Sequence, residues 1–369
     1  MSTMISAFRA TISALPFRQA YNLYNHKLDI RTLLIRLKFS KLRKAYYRSL
    51  WEVAAHNVNA QFEPAENGFH QITRDGLTTI VYQTRVRLND SLAESILIDK
   101  GLTQRLLSRN NHPIPKYKEI NFDEMQSAID FLMQSCGAVV VKPASGTGGG
   151  RGVTTNIRDE TTLRYAFNRA ARYCDKVLVE EHVEGSCCRL TYLNGEFIDA
   201  VRRGPPRITG DGQSTIAQLI KLENKRRLEK QPVSSLQPIL IDADCRNCLR
   251  KQKMSTATRL SKGRSITLKT VINENCSHDS QSVKDDVHPL IIATGAQVVK
   301  ELGMTWAGLD IQCRDISLSP ENSNYRIIEV NAPPGIHHHY LINDPASVTP
   351  VAEYLLEYMF SHKRGVMRI

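Results

Sequence analysis

One lysine, a run of glycines and three strand-end oxygen donors are the residues of this chain whose types and spacing could do chemistry. Lys142 ends the apolar run "AVVV" at 138–141. Directly after it, "SGTGGGRG" places Gly146, Gly148, Gly149, Gly150 and Gly152 within seven positions, with Arg151 among them. Glycines let backbone N–H groups close on an anion and accept positive φ. With the charges of Lys142 and Arg151, the stretch reads as a phosphate cradle. Neither common phosphate pattern fits it. No glycine of the run has another five positions on, and arginine stands at 151, where a dinucleotide fingerprint opened by Gly146 and Gly148 needs glycine. A flexible surface turn is the competing reading of a glycine run taken alone.

The oxygen donors are Asp310, Glu329 and Asn331. Glu329 and Asn331 are two apart, so on a strand they share a face. If Asp310 lies on the neighbouring strand, the three can converge. Hard oxygen ligands of this kind suit Mg²⁺, which binds through one or two carboxylates together with nucleotide phosphates. Taken alone, two strand-end acids are as well explained by a structural pair or a solvated edge; the lysine and glycine loop tip the balance toward a nucleotide site.

The elements that must position these groups follow from periodicity. The run 138–142 is a short buried strand feeding the glycine loop, and "KVLVE" at 176–180 is another. Residues 306–313 and 325–330 are the two late strands. The stretch 186–203 reads as a hairpin turning at Asn194-Gly195, and "GFHQITRDGLTTIVYQTRVRL" as a hairpin around Asp75-Gly76. Helices are expected over 91–110, 122–136, 161–173, 211–230, 288–302 and 348–362. Residues 231–286 are polar and irregular in pattern.

The chain is 369 residues long, with 41% hydrophobic and 23% charged residues, which excludes a disordered class and allows two or three subdomains with real cores. No apolar run approaches the ~20 residues that span a bilayer, and the first residues lack a secretion signal. Eight scattered cysteines resemble free thiols of a cytoplasmic protein more than a disulfide framework. Cys245 and Cys248 could be half of a zinc site completed by Cys276 and His278. The run His337–His339 suggests substrate contact or a solvated loop, since adjacent side chains rarely converge on one metal. The net charge is +12, and residues 1–50 carry ten Lys or Arg against Asp29, or +9 of it. From 28 to 53, Ile30, Leu33, Leu34, Leu37, Leu42, Leu50 and Trp51 recur at roughly helical spacing. This basic helix either packs on the body with a solvated face or serves as an arm for an acidic peptide or anionic membrane. Nucleic acid is not expected.

The order of motifs resembles an ATP-grasp ligase, above all the ATP-grasp region of cyanophycin synthetase. "DKGLTQRLL" is followed by "VVVKPASGTGGGRGV", "VLVEEHVEG", "AVRRGP", "GDGQSTIAQLI", "WAGLDI" and "IIEVNAPPG", over roughly residues 90–345. The resemblance implies an α/β (α+β) ATP-grasp fold, two α/β subdomains sandwiching ATP behind a short basic helical N-terminal region. The expected divisions are 1–90, 91–185 as lid and central subdomain, and 186–369 as the metal-binding subdomain, with a substrate-loop insertion at about 231–286. By the same resemblance Lys100 and Lys142 would touch the nucleotide phosphates, and Gly146, Gly148, Gly149, Gly150, Arg151 and Gly152 would close over them. Glu180, Glu181 and Val183 would line the adenine pocket. Arg202 and Arg203 would stabilise the transferring phosphoryl group. Asp310, Glu329 and Asn331 would hold two Mg²⁺ ions, with Mn²⁺ able to substitute.

Three departures bear on this. A second lysine of the family is here Gln104, with Arg105 beside it. The acid that binds the ribose hydroxyls falls at Cys187. The substrate loop is "NENCSH" at 273–278. A Mur-ligase-like domain is absent from the sequence, so a free-standing relative is expected. The implied activity is ATP-dependent amide formation between a carboxylate and an amine, small molecules or a peptide, by a cytoplasmic enzyme, with self-association open. The alternatives are a nucleotide-binding module without turnover, or a peptide-tailoring ligase that grips an acidic leader through its basic arm.

Overall fold

The computed structural model describes residues 30–229, 234–270, 272 and 280–368. The basic helix is α1 (Ile30–Asn57). Its apolar residues are not one buried stripe. Leu34 and Leu37 are exposed, whereas Tyr47, Trp51, Ala54 and Ala55 are fully buried against the first sheet. That sheet has the order β1 (Gln61–Pro64), β2 (Phe69–Arg74), β3 (Leu77–Tyr82), with β15 (Met367–Arg368) on the far edge. The β2–β3 hairpin turns at Asp75-Gly76 as expected, with φ of 51° and 70°, the doubly positive geometry of a two-residue hairpin loop.

The helix expected over 91–110 is two: α2 (Ser91–Ile98) and α3 (Lys100–Arg109). Asp99 breaks it. Its side chain accepts from the Leu102 N–H and caps α3, a bond worth about 1 kcal/mol, and Lys100 is the first residue of α3.

Next come β4 (Tyr117–Asn121), α4 (Met125–Gln134), β5 (Val139–Pro143), β6 (Thr154–Ile157), α5 (Glu160–Ala170) and β7 (Lys176–Glu181). The four strands form an antiparallel sheet in the order β4-β7-β5-β6. Strand alternation sorts its residues. Val139, Val141, Val177 and Val179 pack into the core under α4 and α5, and Val140, Lys142 and Glu180 face the other way.

A five-stranded antiparallel sheet follows, in the order β12 (Ser280–Ser282), β9 (Glu196–Arg203), β8 (Ser186–Leu193), β13 (Trp306–Cys313), β14 (Arg326–Asn331). One face buries Leu190, Tyr192, Leu309 and Ile311 against α8 (Pro289–Glu301) and the helices α2 and α3. The opposite face is polar where it carries Arg189, Thr191 and Asp310, and at one end Leu193 and Trp306 join the core of the first sheet. Between β9 and β12 lies a fourth core, to which the segment 231–286, read as irregular, contributes β11 (Ser265–Thr267) and α7 (Ala243–Lys251): β10 (Arg207–Thr209) pairs β11, and α6 (Ile216–Glu229), within the helix expected over 211–230, and α7 bury Ile216, Ile220, Ile239, Cys245 and Leu249 with them. Its apolar residues are spaced too irregularly for a periodic reading. The last helix, α9 (Val351–Ser361), returns to the core of the first sheet. Among the described residues no helix is long and apolar enough to cross a membrane.

Candidate active site

The polar face of the five-stranded sheet and the Lys142 face of the four-stranded sheet enclose a cavity of about 450 Å³. Lys100, Lys142, Gly148, Gly149, Gly150, Glu180, Glu181, Val183, Asp310 and Glu329 all line it. Residues more than two hundred positions apart are thus brought to one space. Gly146, Arg151, Gly152, Arg202, Arg203 and Asn331 do not line it.

On the first wall, Lys142 (5% exposed) and Glu180 (2% exposed) form a buried ion pair, Nζ to Oε2 at 2.9 Å. Gln104 donates Nε2 to the same carboxylate oxygen at 2.7 Å. Gln104, where the resemblance leads one to expect a second lysine, is therefore a neutral donor to the partner of Lys142. The glycine loop rises beside them. Gly152 has φ of +81°, and a Cβ there would lie 2.7 Å from Pro143 Cγ, so only glycine fits the base of the loop. Arg151 is exposed and donates Nε back to the Gly148 carbonyl at 3.3 Å. Lys100 bridges the two walls. Its ammonium donates to the Thr147 carbonyl at 3.0 Å and lies 3.4 Å from Glu329.

On the second wall, β13 and β14 are neighbours and Asp310 lies directly opposite Glu329, as the strand reading required. The register slips between Asp310 and Ile311, a bulge that turns Ile328 as well as Glu329 toward the cavity. Asp310 is not available in the way the sequence suggested. Arg189 donates Nε and Nη2 to its two oxygens at 2.6 and 2.7 Å, and Arg203 Nη2 sits 2.8 Å from Oδ1. All three side chains are buried. Burial alone would raise the Asp310 carboxyl, but the Arg189 and Arg203 guanidiniums outweigh it and hold it below the usual carboxylate range. Arg203 also donates to the Cys187 sulfur at 3.0 Å. Burial pushes the Cys187 thiol up, so it stays protonated and uncharged at neutral pH.

The expected arginine pair separates. Consecutive strand residues point to opposite faces, so Arg203 joins Asp310 whereas Arg202 is exposed and donates to Gln281 at 3.1 Å. The three histidines are not a solvated loop. His337, His338 and His339 are buried. His337 Nδ1 meets the Tyr47 hydroxyl of α1 at 2.5 Å. His339 sits between Asp199, at 2.6 Å from Nδ1, and Thr191, at 2.9 Å from Nε2. Burial, then Arg43 and Arg189 for His337, and burial, then His337 and Arg189 for His338, hold these two rings well below the ordinary histidine value.

The end wall of the cavity was missed by sequence reasoning. Lys269 is fully buried, lines the cavity and pairs with Asp242 at 2.7 Å. Thr270 donates to Asp244 at 2.8 Å and accepts from Thr155 of β6 at 2.9 Å, so the fourth core touches the lid. A lone lysine in a polar stretch carries no signal of this. Cys245 and Cys248 lie buried in α7, and Cys276, His278 and the "NENCSH" loop are outside the described residues.

The donor set fits a phosphate-bound cation. Asn331 Nδ2 is buried with no partner among the described residues, two positions from Glu329. Because the two ends of a side-chain amide exchange by a flip, Asn331 can present its oxygen there beside a carboxylate, the chemistry Mg²⁺ selects.

No family model matches the sequence. Cyanophycin synthetase of Synechocystis sp. is 30% identical over 268 residues, 70% of this chain and 30% of that protein. The glutathione biosynthesis bifunctional protein GshAB of Clostridium perfringens is 27% identical over 260 residues, 69% of this chain and 33% of that one. This chain carries an ATP-grasp region similar to that of cyanophycin synthetase. The crystal structure of a bifunctional glutathione synthetase from Pasteurella multocida shares the fold, with a TM-score of 0.53 at 19% identity, covering 82% of this chain and 41% of that one. The chain spans about a third of the length of the curated relatives it matches.

Proposed function

We propose that this ATP-grasp chain is an ATP-dependent ligase that joins a carboxylate to an amine through an acyl phosphate. The carrying observation is the convergence of Lys142, the glycine loop, Lys100 and Glu329 on one cavity. Lys142 and Lys100 hold the α- and β-phosphates. The backbone N–H groups of Gly148, Gly149 and Gly150 close over the β- and γ-phosphates. Val140, Val183 and Ile328 clasp the adenine, with Glu180 and Glu181 at the hinge. Mg²⁺, as two ions replaceable by Mn²⁺, would be held by Glu329 and Asn331 and would neutralise phosphate charge; Asp310 joins them only by releasing an arginine.

A carboxylate oxygen of the first substrate attacks the γ-phosphorus and ADP leaves. The amine nitrogen of the second substrate then attacks the acyl carbon, phosphate departs, and the nitrogen gives up its proton. Arg203, which stands just outside the cavity lining and is oriented by the lining Asp310, is the arginine that would stabilise charge on the transferring phosphoryl group and on the oxyanion that follows. Arg202 takes no part. The closed loop keeps water from the acyl phosphate. The substrates are small acids and amines or a peptide.

A second reading, a nucleotide-binding module without turnover, draws on Gln104 in place of a lysine and on the engagement of Asp310. The test is a matrix of carboxylates and amines screened for ADP release, with condensed products identified by mass spectrometry. Nucleotide binding with no ADP release from any pair, and none without an acceptor, favours the module.

A further inference from the structure

A second concavity, of about 740 Å³, lies between the N-terminal half of α1 and the face formed by α6, the segment 239–242 and α7. Its floor is aliphatic, with Ile35, Ile220, Leu228 and Leu240. Its rim is basic: Arg36, Lys38, Lys221, Lys225 and Arg246 are all exposed, and among the described residues none of them is in an ion pair. Two carboxylates border it. Glu229 is exposed, and Asp242 is committed, capping α7 through the Cys245 N–H at 3.0 Å and pairing with Lys269 at 2.7 Å.

An aliphatic floor under a rim of cations selects an anion that carries apolar side chains. A concave groove admits a chain segment, whereas a membrane surface is flat. Nucleic acid would call for aromatic stacking platforms, and no aromatic side chain lines this groove. The chain's own residues 1–29 carry Arg9, Arg18 and Lys27 against Asp29, a net +2 that the rim repels. The groove also shares a wall with the catalytic cavity, because Asp242 borders the groove and its partner Lys269 borders the cavity.

We propose that this groove binds an acidic peptide segment bearing aliphatic side chains, the remote part of a peptide whose reacting end enters the cavity. The link to the cavity rests on the ligase reading; the binding does not. The experiment uses the full chain without nucleotide and a fluorescein-labelled peptide of Glu-Glu-Leu repeats, followed by fluorescence anisotropy. Saturable binding is expected, weakened about tenfold or more between about 50 mM and about 300 mM salt, since exposed charges are then screened over a few ångströms. The double change Lys221→Glu and Lys225→Glu is expected to weaken it a further tenfold or so, with the circular dichroism unchanged. Leu240→Asp, which alters the floor without touching the rim, is expected to weaken it severalfold. A Glu-Glu-Gly peptide should bind less tightly than the leucine peptide. The proposal is overturned by no saturable binding, by unchanged affinity in both variants, or by phosphatidylserine vesicles or an oligothymidylate binding as tightly as the peptide. Because no ATP is present, any of these results leaves ADP release, and so the ligase reading, to be judged separately.

Discussion

The two walls of the cavity hold their charges differently. On the lid wall, the buried ion pair of Lys142 with Glu180 stands beside a glycine loop whose backbone takes two described side-chain bonds, from Lys100 to the Thr147 carbonyl and from Arg151 folding back on Gly148. On the opposite wall, Arg189, Asp310 and Arg203 lock one another in a buried cluster on a central sheet. A loop with few fixing contacts can open and close over a ligand at low cost. A buried, mutually satisfied cluster keeps a guanidinium aimed at one spot and is costly to disturb. The lid wall suits a nucleotide that enters and leaves each cycle. The sheet wall suits the reacting group, whose placement must not vary.

The largest effect that separates the walls is in stability. Asp310→Ala strands two buried guanidiniums, and removal of one partner of a buried pair costs about 3–5 kcal/mol. Urea denaturation should show that loss, whereas Glu329→Gln, half-buried, should unfold close to the parent while losing turnover. Equal stabilities in the two variants would mean that the cluster is not structural.

Lys142→Ala should weaken ATP binding by about tenfold or more, read by calorimetry, because a lysine on the phosphates acts in the ground state as well as the transition state. It also leaves Glu180 with only Gln104 as a described hydrogen-bond partner.

Gly152→Ala should raise KM for ATP and slow turnover, at a cost of about 1–2 kcal/mol for a left-handed non-glycine residue, with the sheet wall untouched. A silent Gly152→Ala would mean that the loop does not close in the cycle.

The pH dependence comes from His337 and His338. Both are held neutral well below the ordinary histidine value, so below about pH 6.5 the unfolded chain binds protons that the folded chain refuses. Their contribution is fully present above pH 6.5 and is lost as pH falls from there toward their folded values, by at most about 1.4 kcal/mol per pH unit for each ring. His338→Gln should flatten that slope in denaturation curves taken between pH 7 and pH 5, window limits set by the ~6.5 reference value.

The smallest effect is expected of Arg202→Ala, which lies on the outer face of β9. Stability within about 0.5 kcal/mol of the parent and unchanged turnover would place the chemistry on Arg203 alone.

How legible each wall was in the sequence follows the same divide. The lid wall is local: Lys142 and the glycine loop are contiguous, and the buried runs at 138–142 and 176–180 mark their strands. The juxtaposition of Asp310 and Glu329 followed from two periodic strands. What lay beyond reach was contact between distant elements. Nothing in the local pattern ties Arg189 to Asp310, Tyr47 to His337 or Lys269 to Asp242. The core around Cys245 and Leu249 went unread because its short elements carry too few apolar repeats to show a period. Arg202 and Arg203 look alike as a pair, and only strand alternation tells them apart.

The most direct test of an acyl-phosphate ligase is the fate of the carboxylate oxygen. With a substrate pair found by the ADP-release screen, the carboxylate is labelled with ¹⁸O and the phosphate released is read by ³¹P NMR. The expected result is ADP together with inorganic phosphate carrying one ¹⁸O, and no transfer in Glu329→Gln. Unlabelled phosphate, or AMP and pyrophosphate in place of ADP, would contradict it.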